Sequence, residues 1–212
     1  QYAAASVIGV QTPGNLPYFE AWQGHGGGRL EVLQNWLAPA VDKGCSIRIL
    51  DTTLAGRKIF VYAGNMGIAQ GMGVLLGLAQ ELQSRRDVGF VFVGRGSDAA
   101  ALRRQAGERR LDNVLFFDEI DPDEIPALYT QCHVGLVALD PRHKTHNIPG
   151  KFLTYLQAGL SVLASVNPGN DLVQLIRSER VGEVDATGSP EALAVKALAL
   201  KYLDQVVTDP VL

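Results

Sequence analysis

Beyond residue 57 the chain repeats one arrangement: a short apolar run rich in β-branched and aromatic residues, a turn, then a stretch with apolar residues at helical spacing. The runs are "KIFVYAG" (58–64), "VGFVFVG" (88–94), "NVLFFD" (113–118), "HVGLVAL" (133–139) and "LSVLASV" (160–166), with a short "VGEV" (181–184) after them. Helices are expected at about 70–84, 98–110, 122–131, 150–158, 170–178 and 189–206. A strand that is apolar on both sides needs cover on both sides, and a helix after every strand supplies it. Right-handed crossovers then give an α/β fold with a doubly wound, Rossmann-like parallel sheet. In such a sheet ligands bind beyond the carboxyl ends of the strands, so chemistry is sought in the loops that open the next helices.

The first 57 residues read differently. "SVIGVQ" (6–11) and "LEVLQN" (30–35) are strand-like, with a helix expected at 15–22 between them, and residues 39–57 are weakly patterned and read as a hinge. Two units follow: 1–50, a remnant of another domain with the hinge, and 51–212, the ligand-binding domain. "QYAAAS" has no initiator Met and no signal-peptide pattern, and is expected to be a cut inside a longer protein.

Composition excludes several classes. With 19 Lys and Arg against 22 Asp and Glu, the net charge is −3, and the basic footprint of a nucleic-acid binder is missing. Apolar runs such as "VGLVAL" fall far short of the ~20 residues that cross a bilayer. Two cysteines are too few for a disulfide scaffold and suit a reducing cytosol. Cys132, inside an apolar run beside His133, reads as a buried small hydrophobe, not a nucleophile.

Four loops carry polar or glycine-rich signals. The first, with Gly64, Asn65 and Gly67, is neither a dinucleotide fingerprint nor a P-loop. The second, with Gly94, Arg95 and Gly96, is an ordinary strand-to-helix turn in which Ser97 or Asp98 can cap. The third, "DEIDPDEIPALY", reads as a helix start: Asp121 as cap, Pro122 first, Glu124 closing a capping box. The fourth, "DPRHKTHN" (140–147), holds Arg142, His143, Lys144 and His146 but no complete set of zinc ligands, so no metal is expected.

This last loop leads into "NIPGKFLTYLQAG". Asn147 can cap the helix, Pro149 is tolerated in a first turn, and Gly150 leaves room for an oxyanion among unpartnered N–H groups. Lys151 sits there against the helix dipole, an unfavourable place that an anionic ligand would reverse. The residues therefore point to a phosphate site with Lys151 as its charge.

Taken together, "VYAGNMGIAQGM" (61–72), "FVFVGRGSD" (90–98), "NVLFFDEIDPDEIPALYTQCHVGLVAL" (113–139) and "IPGKFLTYLQAGLSVLAS" (148–165) resemble the nucleotide-sugar-binding half of GT-B fold retaining glycosyltransferases of family four. Within that family the chain is most similar to bacterial enzymes of lipopolysaccharide O-antigen and capsule synthesis, often users of UDP-linked N-acetylated amino sugars. The resemblance implies a UDP-sugar substrate with no separate cofactor, uracil and ribose near Gly94, Gly96, Phe117 and Asp118, and diphosphate at Gly64, Asn65, Gly67, Pro149, Gly150 and Lys151. It also implies a lipid-linked or glycan acceptor bound by another domain, and a cytoplasmic place compatible with peripheral association at the inner membrane. By itself the chain is then expected to bind donor without turnover.

Many members carry two glutamates eight positions apart, one near the sugar and one on the ribose; here those positions hold His146 and Thr154. His146 thereby becomes a catalytic candidate beside Lys151, and Thr154 a ribose contact. Asn65 and Gln70 stand where many members have Arg and Lys, so Lys151, with Lys144 or Arg142, is expected to neutralise the diphosphate. A UDP-sugar epimerase of the same fold and an inactive nucleotide-sugar-binding module are the competing readings.

Overall fold

A computed structural model describes residues 4–22, 28–41, 43–142, 144 and 146–200. A six-stranded parallel sheet is formed by β3 (Lys58–Ala63), β4 (Val88–Val93), β5 (Val114–Phe117), β6 (Val134–Ala138), β7 (Ser161–Ser165) and β8 (Gly182–Asp185), in the order β5-β4-β3-β6-β7-β8. Two half-sheets thus run outward from the β3/β6 boundary, which is the switch point of a doubly wound sheet. A separate parallel pair, β1 (Val7–Val10) and β2 (Arg29–Val32), precedes it.

Both faces of the large sheet are apolar, as the uninterrupted hydrophobic runs require. On β3, Phe60 and Tyr62 point into the layer formed by α1 (Gly73–Glu81), α2 (Ala99–Glu108) and α6 (Pro190–Leu200). Ile59, Val61 and Ala63 point the other way, to α3 (Ile125–Tyr129), α4 (Gly150–Gln157) and α5 (Asp171–Glu179), where Ile47, Ile49 and Leu54 are also buried. Strand alternation therefore assigns neighbouring residues to opposite layers.

At the switch point β3 and β6 pair over only Phe60–Val134 and Val61–Gly135, whereas β3 pairs with β4 over six residues. Tyr155 of α4 fills the gap. Its ring lies where a Cβ on Gly135 would be 2.2 Å from Cγ, so that position has no room for a side chain. Its hydroxyl sits 3.1 Å from the Leu136 carbonyl and 3.3 Å from that of Val61, and full burial drives the phenol well above its ordinary pKa. The neutral hydroxyl props the crevice from which a ligand site can open.

Local starts and stops follow the sequence, with five exceptions. The stretch expected as a helix at 15–22 is a 3₁₀ helix, Pro13–Trp22, with Pro17 inside it lacking the N–H an α-helix needs there. A 3₁₀ turn, Ile68–Gln70, precedes α1, so that helix begins three residues later than expected. Asp121 caps through the Asp123 N–H, but the Glu124 carboxylate accepts from the Ser46 N–H and closes no capping box. In α4 the cap position belongs to Pro149; Asn147 is bonded instead to Asn15 and Asn170. The helix expected at 122–131 is a 3₁₀ turn, Pro122–Glu124, followed by α3. Gly159 ends α4 as expected: at φ 73° it lets its own N–H reach the Leu156 carbonyl and the Leu160 N–H reach Tyr155. The expected extension of the last helix to 206 lies outside the described residues.

Candidate functional site

Loops at the carboxyl ends of β3, β4 and β5 meet α3 and α4 around a cleft of about 410 Å³, open to solvent beside the switch point. Gly64, Asn65, Gly94, Arg95, Glu119, Ile120, Tyr129, Lys151 and Thr154 are on its walls. The first two loops are joined edge to edge. The Gly64 N–H donates to Val93, the Met66 N–H to Arg95, and the Asp98 N–H to Met66. Gly94 has φ 135°, and a Cβ there would stand 2.1 Å from the Gly64 carbonyl oxygen, so glycine is required by this close approach.

Lys151 is the cleft's distinctive group. Its helix covers the β6 and β7 face opposite Tyr62, yet the side chain crosses the sheet edge beside Gly64 and sets Nζ 3.3 Å above the centre of the Tyr62 ring. A Cβ on Gly64 would meet that nitrogen at 3.4 Å. No carboxylate or carbonyl partner for Lys151 is found among the described residues, and burial draws the ammonium down to about 7. Tyr129, which lines the same cleft, is pushed up to about 12 by burial and stays a neutral hydroxyl. Arg95 and Glu119 pair with each other at 2.9 Å on the exposed rim. The arrangement offers an anion the Lys151 amine and neutral hydroxyls, while Arg95 on the rim is paired with Glu119, the carboxylate among the lining residues.

The structure brings together Lys151, Gly64, Asn65, Gly94 and Thr154 from the residues expected in the site. Thr154 donates its hydroxyl back to the Lys151 carbonyl and lies beside the Tyr129 hydroxyl. Gly67 and Gly96 lie behind the wall: the Gly67 N–H is held by the Gln70 side chain, and Gly96 packs on the Met66 backbone. Pro149 and Gly150 flank the cleft without lining it, and no atom of the described residues lies within 4 Å of a Cβ built on Gly150. Phe117 contributes its carbonyl to Gly94 N–H and packs its ring inward. Asp118 turns away, 94% exposed and paired with Arg103 at 2.6 Å; its two successors, Glu119 and Ile120, reach the cleft instead.

His146 does not stand beside Lys151. Residues 146–149, before α4, have no regular secondary structure, and His146 lies at the seam with the N-terminal strand pair, where Nδ1 lies 3.4 Å from Asp171 Oδ1 and the ring stands edge-on to Tyr18 at 6.4 Å. Arg142 is also lost to the cleft, because Asp140 binds its guanidinium through both oxygens at 2.7 and 2.9 Å. Lys144 is exposed, and His143 lies outside the described residues. Asn65 and Gln70 bond to each other at 3.0 Å. Lys151 thus carries the charge of the cleft without help from that loop.

Cys132 is buried against the Leu128 carbonyl and its thiol is raised well above its ordinary pKa, so it is inert. Among the described residues no group of three or more His, Cys, Asp or Glu could hold a metal ion, and no helix is long and apolar enough to cross a membrane. The sequence reading passed over Tyr62, Glu119, Ile120 and Tyr129. Counting two or three residues past the end of β5 would have found Glu119 and Ile120; Tyr62, aimed at the opposite layer, carries no such signal.

Comparison with known proteins decides the family. A family model described as "Glycosyl transferases group 1" matches residues 57–201. The chain belongs to the group 1 glycosyltransferases. It is 29% identical over 119 residues to an Escherichia coli K12 protein named as a colanic acid biosynthesis glycosyl transferase, WcaI, covering 56% of this chain and 29% of that one. It is 24% identical over 139 residues to a Pseudomonas aeruginosa protein named as a glycosyltransferase, WbjE, covering 66% and 34%. The chain therefore spans about a third of these curated relatives.

Solved structures of the same fold include a trehalose-phosphate synthase of Burkholderia xenovorans described as UDP-forming, with TM-score 0.69 and 14% identity, covering 93% of this chain and 53% of that one. A TarM variant of S. aureus solved with UDP has TM-score 0.68 and 13% identity, covering 92% and 36%. The six-stranded sheet is thus the Rossmann-like half of a GT-B glycosyltransferase.

Proposed function

We propose that this chain is the donor-binding half of a retaining glycosyltransferase that moves an N-acetylated amino sugar from a UDP donor to a lipid-linked or glycan acceptor in bacterial surface polysaccharide synthesis. The observation that carries the reading is Lys151, a cation without a carboxylate partner among the described residues, held in a cleft at the carboxyl ends of β3 and β4. In sugar transfer the bond between the anomeric carbon and the diphosphate oxygen breaks, and negative charge grows on the diphosphate. A positioned ammonium meets that charge as it develops. The diphosphate would lie at Gly64 and Lys151, the ribose near Thr154, and the base towards Arg95, Glu119 and Ile120. The relative named for colanic acid biosynthesis supports a polysaccharide product, and the neighbours solved with UDP support the nucleotide. The domains at 1–50 and 51–212 fit an acceptor-side remnant and a donor domain, and the enzyme would work in the cytoplasm, with peripheral membrane association where its acceptor is lipid-linked.

Calorimetric titration tests the reading. The chain is expected to bind UDP-N-acetylglucosamine at least tenfold more tightly than a GDP-sugar, without consuming it; no binding, or equal binding of both, overturns the proposal. In the complete enzyme Lys151→Ala is expected to lower kcat/KM about 100-fold, the order found when one transition-state donor is removed.

A further inference from the structure

Tyr62 and Lys151 come from opposite layers of the sheet and meet only at its carboxyl edge. The Tyr62 hydroxyl donates to the Asn65 carbonyl at 2.5 Å, which fixes the ring under the turn of the first loop. A ring face attracts a cation through its quadrupole without carrying a charge of its own, whereas a carboxylate would cancel the charge of the amine. We infer that Tyr62 is a positioning residue for donor binding: its ring face aims an unneutralised Lys151 amine at the diphosphate, so that the amine takes up a proton from solvent as the nucleotide sugar binds and returns it when the diphosphate leaves. This rests on the reading of the cleft as a donor site.

The proton balance is simple. Without ligand, desolvation on the ring leaves the amine divided between NH2 and NH3⁺ near neutrality. An arriving diphosphate favours NH3⁺, and the proton comes from the buffer. Other charged or titratable groups facing Lys151 do not compete for this role near pH 7. Tyr129 from α3 and Tyr155 of α4 are raised by burial, as is Tyr62 itself, and Arg95 and Glu119 from the β4 and β5 loops are paired with each other.

UDP-N-acetylglucosamine is the suitable probe, because its diphosphate does not titrate between pH 6.5 and 8.5. Its Kd for the chain is expected to rise about tenfold from pH 7 to 8.5, since one proton is linked to binding above the free amine's pKa. Titrations in buffers of different ionisation heat are expected to report uptake of about half a proton at pH 7. Lys151→Arg, which cannot deprotonate, is expected to bind with a flat pH profile. Tyr62→Phe keeps the ring and is expected to keep the slope, while Tyr62→Leu loses affinity about tenfold. A flat wild-type profile, an Arg variant with the wild-type slope, or a folded Leu variant with wild-type affinity overturns the inference. If the wild-type chain binds no nucleotide sugar at any pH, the donor-site reading falls as well; binding without the pH slope removes only the role of Tyr62.

Discussion

Lys151 and His146 are five residues apart and looked like parts of one cationic site, yet the fold sends them to different places. Lys151 enters the cleft at the sheet edge and meets an aromatic face. His146 enters the seam against Asp171 and Tyr18, where the Gly14 N–H also bonds Asp171 at 2.7 Å and the Gln11 side chain exchanges hydrogen bonds with the Ile148 backbone. The helix boundary explains the separation. From Gly150 onward side chains radiate at helical spacing, whereas residues 146–149 lie outside any helix or strand. Sequence proximity ahead of a helix thus says little about a shared site, and the two regions are separable: the cleft is the proposed anion site, and the seam holds the N-terminal strand pair to the sheet.

The strongest way to break this contrast is to damage the cleft wall alone. Gly94→Ala puts a Cβ 2.1 Å from the Gly64 carbonyl and forces a positive φ on alanine. The combined clash and strain are expected to cost about 3 kcal/mol or more. For a chain of this length that is a drop of roughly 6–12 °C in Tm, read by thermal denaturation. Gly150→Ala is its control: the position is helical, no atom of the described residues lies within 4 Å of the new Cβ, and a gain of about 0.5 kcal/mol is expected.

Lys151→Met separates function from stability. A lysine whose folded pKa lies below its unfolded value binds fewer protons folded than unfolded, so it destabilises the protein fully below pH 7, progressively less up to about 10.5, and not above. The methionine variant is therefore expected to melt about 2–4 °C higher at pH 6.5, equivalent to about 1 kcal/mol, with the advantage gone at pH 10.5. It is also expected to lose at least tenfold in nucleotide-sugar affinity. A variant no more stable than wild type at pH 6.5 would mean that Lys151 is well solvated or that the ring contact offsets its desolvation.

How much could be read beforehand follows the same division. The sheet was legible because strands buried on both faces leave long apolar runs, and the loops of the cleft followed from the carboxyl-end rule. Gly64, Gly94, Lys151 and Thr154, expected at those loops or the helix they open, line one cleft. Asp118, one position past the end of β5, turns to Arg103, and its successors Glu119 and Ile120 line the cleft. His146 was misplaced because its partners, Gly14 and Asp171, are separated from it by 132 and 25 positions of chain, and no local pattern records such a meeting. Tyr62 was hidden because it belongs to the opposite face of the sheet, and only the three-dimensional course of the Lys151 side chain brings them together.

The smallest expected effect is the sharpest test of the seam. Among the described residues His146 Nδ1 is buried without a hydrogen-bond partner, so truncation removes an unsatisfied nitrogen along with some packing. His146→Ala is expected to change stability by less than about 1 kcal/mol and nucleotide-sugar affinity by less than twofold, read by thermal denaturation and calorimetry. A tenfold loss of affinity would return His146 to the donor site and end the separation argued above. The seam is then probed through Gly14, where a Cβ would lie 2.3 Å from His146 Nδ1. Alone, Gly14→Ala is expected to cost about 1–2 kcal/mol through overpacking. With alanine at position 146 the obstructing ring is absent and most of that cost should disappear, because residues in direct contact couple while distant ones add. Additive losses in that double-mutant cycle would mean that Gly14 answers to the Asp171 carboxylate, 2.7 Å from the same Cβ, and that His146 merely lies beside the contact that holds the strand pair in place.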